Sequence, residues 1–86
     1  MTKREWLLKH GYKADSMVGS VYTRPLPNCD MSVGIALWEK QKLDPLAFAK
    51  FDYKSIITIT RSDYEKIGRA LNQAELELKQ MIKECK

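Results

Sequence analysis

The stretch Ser62–Cys85, SDYEKIGRALNQAELELKQMIKEC, decides the fold. Within it Tyr64, Ile67, Leu71, Ala74, Leu78, Met81 and Cys85 recur at alternating steps of three and four residues, which lays one apolar stripe along a helix. Charged residues stand between most of them. Ser62 with Glu65 three residues later has the pattern of a capping box, and Asp63 adds negative charge where the helix dipole is positive. Glu65 with Arg69 and Glu75 with Lys79 stand four apart in the favourable order. Gly68 weakens the first half by up to ~1 kcal/mol relative to alanine, which suits a place where a sheet backbone comes close.

A helix from Asp63 to Cys85 extends roughly 34 Å at its rise per residue. A typical strand spans only about 17 to 20 Å. The distal part, with Leu78, Met81, Ile82 and Cys85, therefore overhangs a small sheet and needs cover. Three outcomes are physically available: the N-terminal helix packs there with Trp6 and Leu7, the overhang pairs with a copy of itself, or it frays. The 3,4 spacing fits a coiled-coil seam over about three heptads, but Ile82 beside Met81 widens the stripe toward core packing or a broader helix pairing.

Upstream, Thr2 and Glu5 form a capping box, with Met1 and Trp6 placed as a hydrophobic staple, so a short helix starts at once. Gly11 supplies its left-handed stop, and His10 in the last turn suits bonding to terminal carbonyls. Residues 13–19 read as a loop and Ser20–Arg24 as a short strand that Pro25 and Pro27 end. Met31–Glu39 alternates large residues (Met31, Val33, Ile35, Leu37) with Ser32, Gly34, Ala36 and Trp38, which makes it the best strand; its small side is closely approached or lightly packed. For Leu46–Tyr53, Asp44 and Pro45 fit a helix start, whereas alternation of Ala47, Ala49, Phe51 and Tyr53 argues for a strand, and the strand is favoured. Ser55–Thr60 is a β-branched run and a last strand. The 86 residues thus read as one small α+β domain: a short N-terminal helix, a three- to four-stranded antiparallel meander, and a long C-terminal helix packed on one face.

Composition sets limits on function. Hydrophobic residues at 44% and charged residues at 30% are globular proportions, with no apolar window long enough to span a membrane and no signal-peptide pattern, so a cytoplasmic protein is expected. Cys29 and Cys85 lie far apart and in no C-x-x-C pair, so they are expected to be free thiols. His10 is the sole histidine, glycines stand singly, and the aspartates form no tight pair. No metal, cofactor or catalytic residue is therefore expected, and the chain reads as non-enzymatic.

The order of helix, strands and helix resembles that of double-stranded-RNA-binding domains. That family opens its second helix with a lysine cluster, and here Ser62, Asp63, Tyr64, Glu65 and Lys66 stand there, so its main RNA contact does not transfer. Leu7, Leu8, Lys9, His10, Gly11, Tyr12, then Gly19 and Ser20, resemble the start of HicA-type messenger-RNA-cleaving toxins, which share the topology. The family's catalytic histidine would follow that Gly and Ser pair, but Val21 occupies the position. The general build is similar to that of small accessory proteins of bacteria and their phages.

Two functional expectations follow. The first is self-association, or binding of a protein partner, through the apolar stripe of the C-terminal helix, with Leu78, Met81 and Ile82 as contacts. The second uses the charge. Of the formal +4, a surplus of three lies in residues 1–24, where Lys3, Arg4, Lys9, Lys13 and Arg24 stand against Glu5 and Asp15, the pattern of a nucleic-acid-binding surface.

Overall fold

Thr2 caps the first helix, α1 (Lys3–Lys9), through the expected box: its hydroxyl accepts from the Glu5 amide at 3.1 Å and the Glu5 carboxylate reaches back. Gly11, at φ +89°, closes the other end. Tyr12 donates its amide to the Leu7 carbonyl at 3.0 Å and Gly11 donates to Leu8 at 3.3 Å, the two bonds of a Schellman motif. Leu7 and Tyr12, the residues that motif brings together, are both buried. His10 takes the structural role its position suggested: Nδ1 donates to the Trp6 carbonyl at 2.8 Å and the ring stacks on the Trp6 indole at 3.8 Å.

The computed structural model describes residues 1–15, 20–27, 30–40, 42–52 and 60–85. The expected strand Ser55–Thr60, apart from Thr60, the end of the preceding strand at Tyr53, and Cys29 lie outside them. After α1 come β1 (Lys13–Ala14), β2 (Val21–Pro25), β3 (Met31–Ala36), β4 (Leu46–Phe51) and α2 (Arg61–Glu84). The strands form one antiparallel sheet in chain order, with Tyr22 opposite Ile35 and Gly34 opposite Phe48. α2 packs on one face of this sheet, so the architecture is α-β-β-β-β-α. β4 settles the choice at Leu46–Phe51 in favour of the strand. β1 is a correction to the loop expected at residues 13–19: Lys13 and Ala14 pair with Thr23 and Tyr22, because the Gly11 stop aims the chain back along β2.

The last helix is continuous for 24 residues. It starts earlier than the Ser62 pattern implies, for Thr60 is the cap. The Thr60 hydroxyl accepts from the Asp63 amide at 3.2 Å while the Asp63 carboxylate accepts from the Thr60 amide at 3.0 Å. Asp63, 2% exposed, is thus a capping-box partner inside the protein. Tyr64, the first position of the expected stripe, is 69% exposed. The reason is periodicity: a 3.5-residue repeat drifts about 20° per heptad on an uncoiled helix, so by three heptads the two ends of the stripe part by about 60°. The buried positions are Asp63, Ala70, Ala74 and Met81, which hold to 3.6.

Cover for the overhang comes from within the chain. Trp6 and Leu7 of α1 share one buried cluster with Ala74 and Met81, with Leu78 and Cys85 packed against it. The Cys85 thiol donates to the Thr2 carbonyl at 3.7 Å, and Cys85 is a free thiol. On the sheet side, Met31, Val33 and Ile35 are buried beneath α2 together with Tyr22.

The two glycines that looked alike in sequence differ. A Cβ at Gly34 would stand over the Phe48 ring, no more than 2.6 Å from three of its carbons, so the face of the ring lies on the glycine. A Cβ at Gly68 meets nothing within 4 Å, so the close approach expected there does not occur. Gly34→Ala is therefore expected to lower stability by about 1 kcal/mol, a cost that disappears in a Phe48→Ala background. Gly68→Ala is expected to raise it by about 0.5–1 kcal/mol. Thermal melts of the variants check both signs.

Candidate functional site

The residues proposed from sequence as a partner surface separate into two groups. Met81 is 0% exposed, and Leu78 is half-buried and packed against the core. The cause is the docking of α1, which uses their apolar surface within the chain. Ile82, one position on, is 46% exposed.

The five basic residues are dispersed. Arg4, Lys9 and Lys13 are exposed and Lys3 is half-buried. Arg4 and Lys9 project about 140° apart around α1, while Lys13 sits on the sheet. Arg24 faces the other way and is engaged: its Nη2 donates to both Glu77 carboxylate oxygens, at 2.6 and 2.5 Å. The Tyr12 hydroxyl donates to the same carboxylate at 3.0 Å and Gln73 Nε2 at 2.9 Å, while the Arg24 guanidinium lies 5.4 Å from the Tyr12 ring centre. At this node β2 and α2 meet the turn between α1 and β1.

The node sets its own protonation states. Burial, reinforced by the Glu77 carboxylate, pushes the Tyr12 phenol well above its ordinary value. The hydrogen bond to Glu77 raises Arg24 further. Burial alone would push the Glu77 carboxyl up, but the hydrogen bonds from Arg24, Gln73 and Tyr12 outweigh it and hold the group below its ordinary value. Among the described residues the expected Glu65 and Arg69 pair is not formed; the ion pairs found are Arg24–Glu77 and a loose Lys66–Asp30 contact at 4.0 Å.

A surface that sequence reasoning missed lies on the sheet face away from α2. Cross-strand pairing puts Lys13, Thr23, Gly34 and Phe48 in one row, Val21, Ala36 and Leu46 in the next, and Pro25, Ser32 and Lys50 in a third. No described helix covers this face. Its centre is apolar, with the half-buried Phe48 ring over Gly34; on β3 Ser32 and Ala36 are buried, whereas Leu46 on β4 is 56% exposed. Lys13 and Lys50 stand at the margin, with Asp52 accepting from Ser32 at 2.6 Å. The signal was present: small residues on alternate positions of β3 mark a side on which a neighbour lies close.

Among the described residues no group of three or more His, Cys, Asp or Glu side chains is placed to hold a metal ion. No described helix is long and apolar enough to cross a membrane. Compared with known protein families, curated proteins and solved structures, the chain matches none.

Proposed function

We propose that this chain is a non-enzymatic interaction protein that pairs with a second copy through the sheet face away from α2, over which no described helix lies. The observation that carries the reading is the apolar centre of that face, Phe48 and Leu46 beside Val21 and Pro25, with no described helix over it. Two such faces stack at about 10 Å, and their twist accommodates a two-fold pair. The rim suits self-pairing, since Lys50 and Asp52 offer opposite charges at one end of β4. The helix stripe first suggested as the contact contributes its outer residue, Ile82, as the competing site.

Sedimentation of the wild type over a wide concentration range tests the proposal. The expected result is a reversible dimer whose dissociation constant rises at least about tenfold in Leu46→Glu, with unchanged melting temperature. Ile82→Glu is expected to leave the dimer intact. A wild type that stays monomeric at millimolar concentration overturns the proposal, and a dimer broken by Ile82→Glu but not by Leu46→Glu transfers the interface to α2.

One observation favours a second reading. A flat aromatic ring on a sheet face with lysines at its margin is also the chemistry of a single-stranded nucleic-acid platform. That reading requires binding that weakens steeply with salt and is lost in Phe48→Ala.

A further inference from the structure

On the α2 side of the sheet, a cleft of about 480 Å³ lies between the first half of α2 and the end of β2. Arg24, Lys66, Arg69 and Gln73 supply its polar lining, and Leu26, Pro27 and Ala70 its apolar lining. Lys66, Arg69 and Gln73 follow at steps of three and four, so α2 presents them on one side.

The charges in this cleft are unevenly satisfied. Arg24 is spent on Glu77, as is Gln73, and the Arg24 Nε is buried with no hydrogen-bond partner. Among the described residues Lys66 has only the Asp30 carboxylate at 4.0 Å, beyond hydrogen-bonding distance. Arg69 makes no ion pair among the described residues, although Glu65 lies one turn away. With Glu77 neutralised by Arg24, two cations remain among the described residues over an apolar wall, against one loosely engaged acid, Asp30.

We propose that this cleft binds a phosphorylated ligand, with the phosphoryl group held by Arg69 and Lys66 and a flat apolar body lying on Leu26, Pro27 and Ala70. A planar carboxylate is satisfied by one bidentate arginine, whereas a tetrahedral phosphoryl dianion takes donors from several directions and matches two separate cations. The volume lies within the range of small-ligand sites and fits one nucleotide-sized molecule. The phosphoryl group belongs either to a free small molecule or to one residue of a nucleic-acid strand, and the test separates the two.

Adenosine monophosphate, adenosine and a short single-stranded oligonucleotide are titrated into the full chain, with the backbone amides of Ala70 and Gln73 followed by NMR. The expected result is saturable binding of the monophosphate, with adenosine about tenfold weaker or worse and a similar loss in both Arg69→Ala and Lys66→Ala. Lys79→Ala, on the far side of α2, is expected to bind as the wild type does. An oligonucleotide that binds tighter than the monophosphate, with a steep salt dependence, assigns the phosphoryl group to a strand; equal or weaker binding assigns it to a free ligand. No response to the monophosphate at about 10 mM, an equal response to adenosine, or unchanged binding in Arg69→Ala overturns the proposal. Both variants change side chains that reach solvent and are expected to fold, which melting curves verify.

Discussion

Met81→Glu is expected to unfold the protein, whereas Ile82→Glu, one residue further on, is expected to be nearly silent. Met81 is 0% exposed within the cluster that joins α1 to α2. A carboxylate there loses the packing of a methionine, worth about 2–5 kcal/mol when truncated, and adds a buried charge with no cation in the surrounding cluster. A chain of 86 residues has a total stability of about 4–13 kcal/mol, so the combined cost takes most or all of it. Ile82 at 46% exposure points past the cluster, and its change to glutamate is expected to stay within about 0.5 kcal/mol. Far-UV circular dichroism with thermal melts distinguishes the pair. Met81→Leu, which conserves volume, serves as the control and is expected to cost under about 1.5 kcal/mol. A folded Met81→Glu with a native melting temperature would mean that the end of α2 is not packed as described.

The second large effect belongs to the Tyr12, Arg24 and Glu77 node. Glu77→Gln keeps the shape but removes the charge, leaving Arg24 without its counter-ion and at 23% side-chain exposure. The expected loss is about 1–2 kcal/mol at neutral pH, less than for a wholly buried pair because solvent still reaches the guanidinium. For a domain of this size that lowers the melting temperature by roughly 5–12 °C. The pH dependence has a definite sign. The Glu77 carboxyl is held below its ordinary 4.5, so its contribution is fully present above that value and is lost as pH falls through the lower folded-state value. The gap between wild type and Glu77→Gln is therefore expected to be constant above about pH 5 and to narrow steadily in acid. Tyr12, raised in the folded state, acts at the other limit: its contribution is intact below pH 10 and declines above it. Melts from pH 2 to 8 test the acid limb, and a gap that stays constant down to pH 2 would show that the Glu77 charge stabilises nothing.

The elements of the fold were legible because each is written locally. Thr2 with Glu5, Gly11 and the alternation through Met31–Ala36 carry their own geometry, and the structure follows them. Two boundaries were not legible, for a physical reason in each case. Thr60 and Ser62 both offer a hydroxyl three residues before an acid, and tertiary burial of Asp63 selects the former. Lys13 and Ala14 have no strand pattern of their own and are recruited by the edge of β2.

Of the candidate site, less was readable. The stripe of α2 announces burial but not what does the burying, so Met81 looked available until Trp6 and Leu7 were placed beside it. Arg24 and Glu77 are 53 residues apart, and no spacing rule connects them. One hint existed: Glu77 lies three residues after Ala74 and four before Met81, and an acid between two buried positions of a helix demands a partner. The sheet face away from α2 was hidden because neither β3 nor β4 by itself shows that Phe48 falls opposite Gly34.

The motif that ends α1 has an energetic consequence. Seven residues are too few to hold a helix in water without outside contacts, so α1 persists only while it rests on the far turns of α2. Those turns in turn bury Met81 in the same cluster as Trp6 and Leu7. Each is the other's support, and a local opening that detaches one releases both, as a single cooperative unit distinct from the slower opening at Ala70 and Ala74.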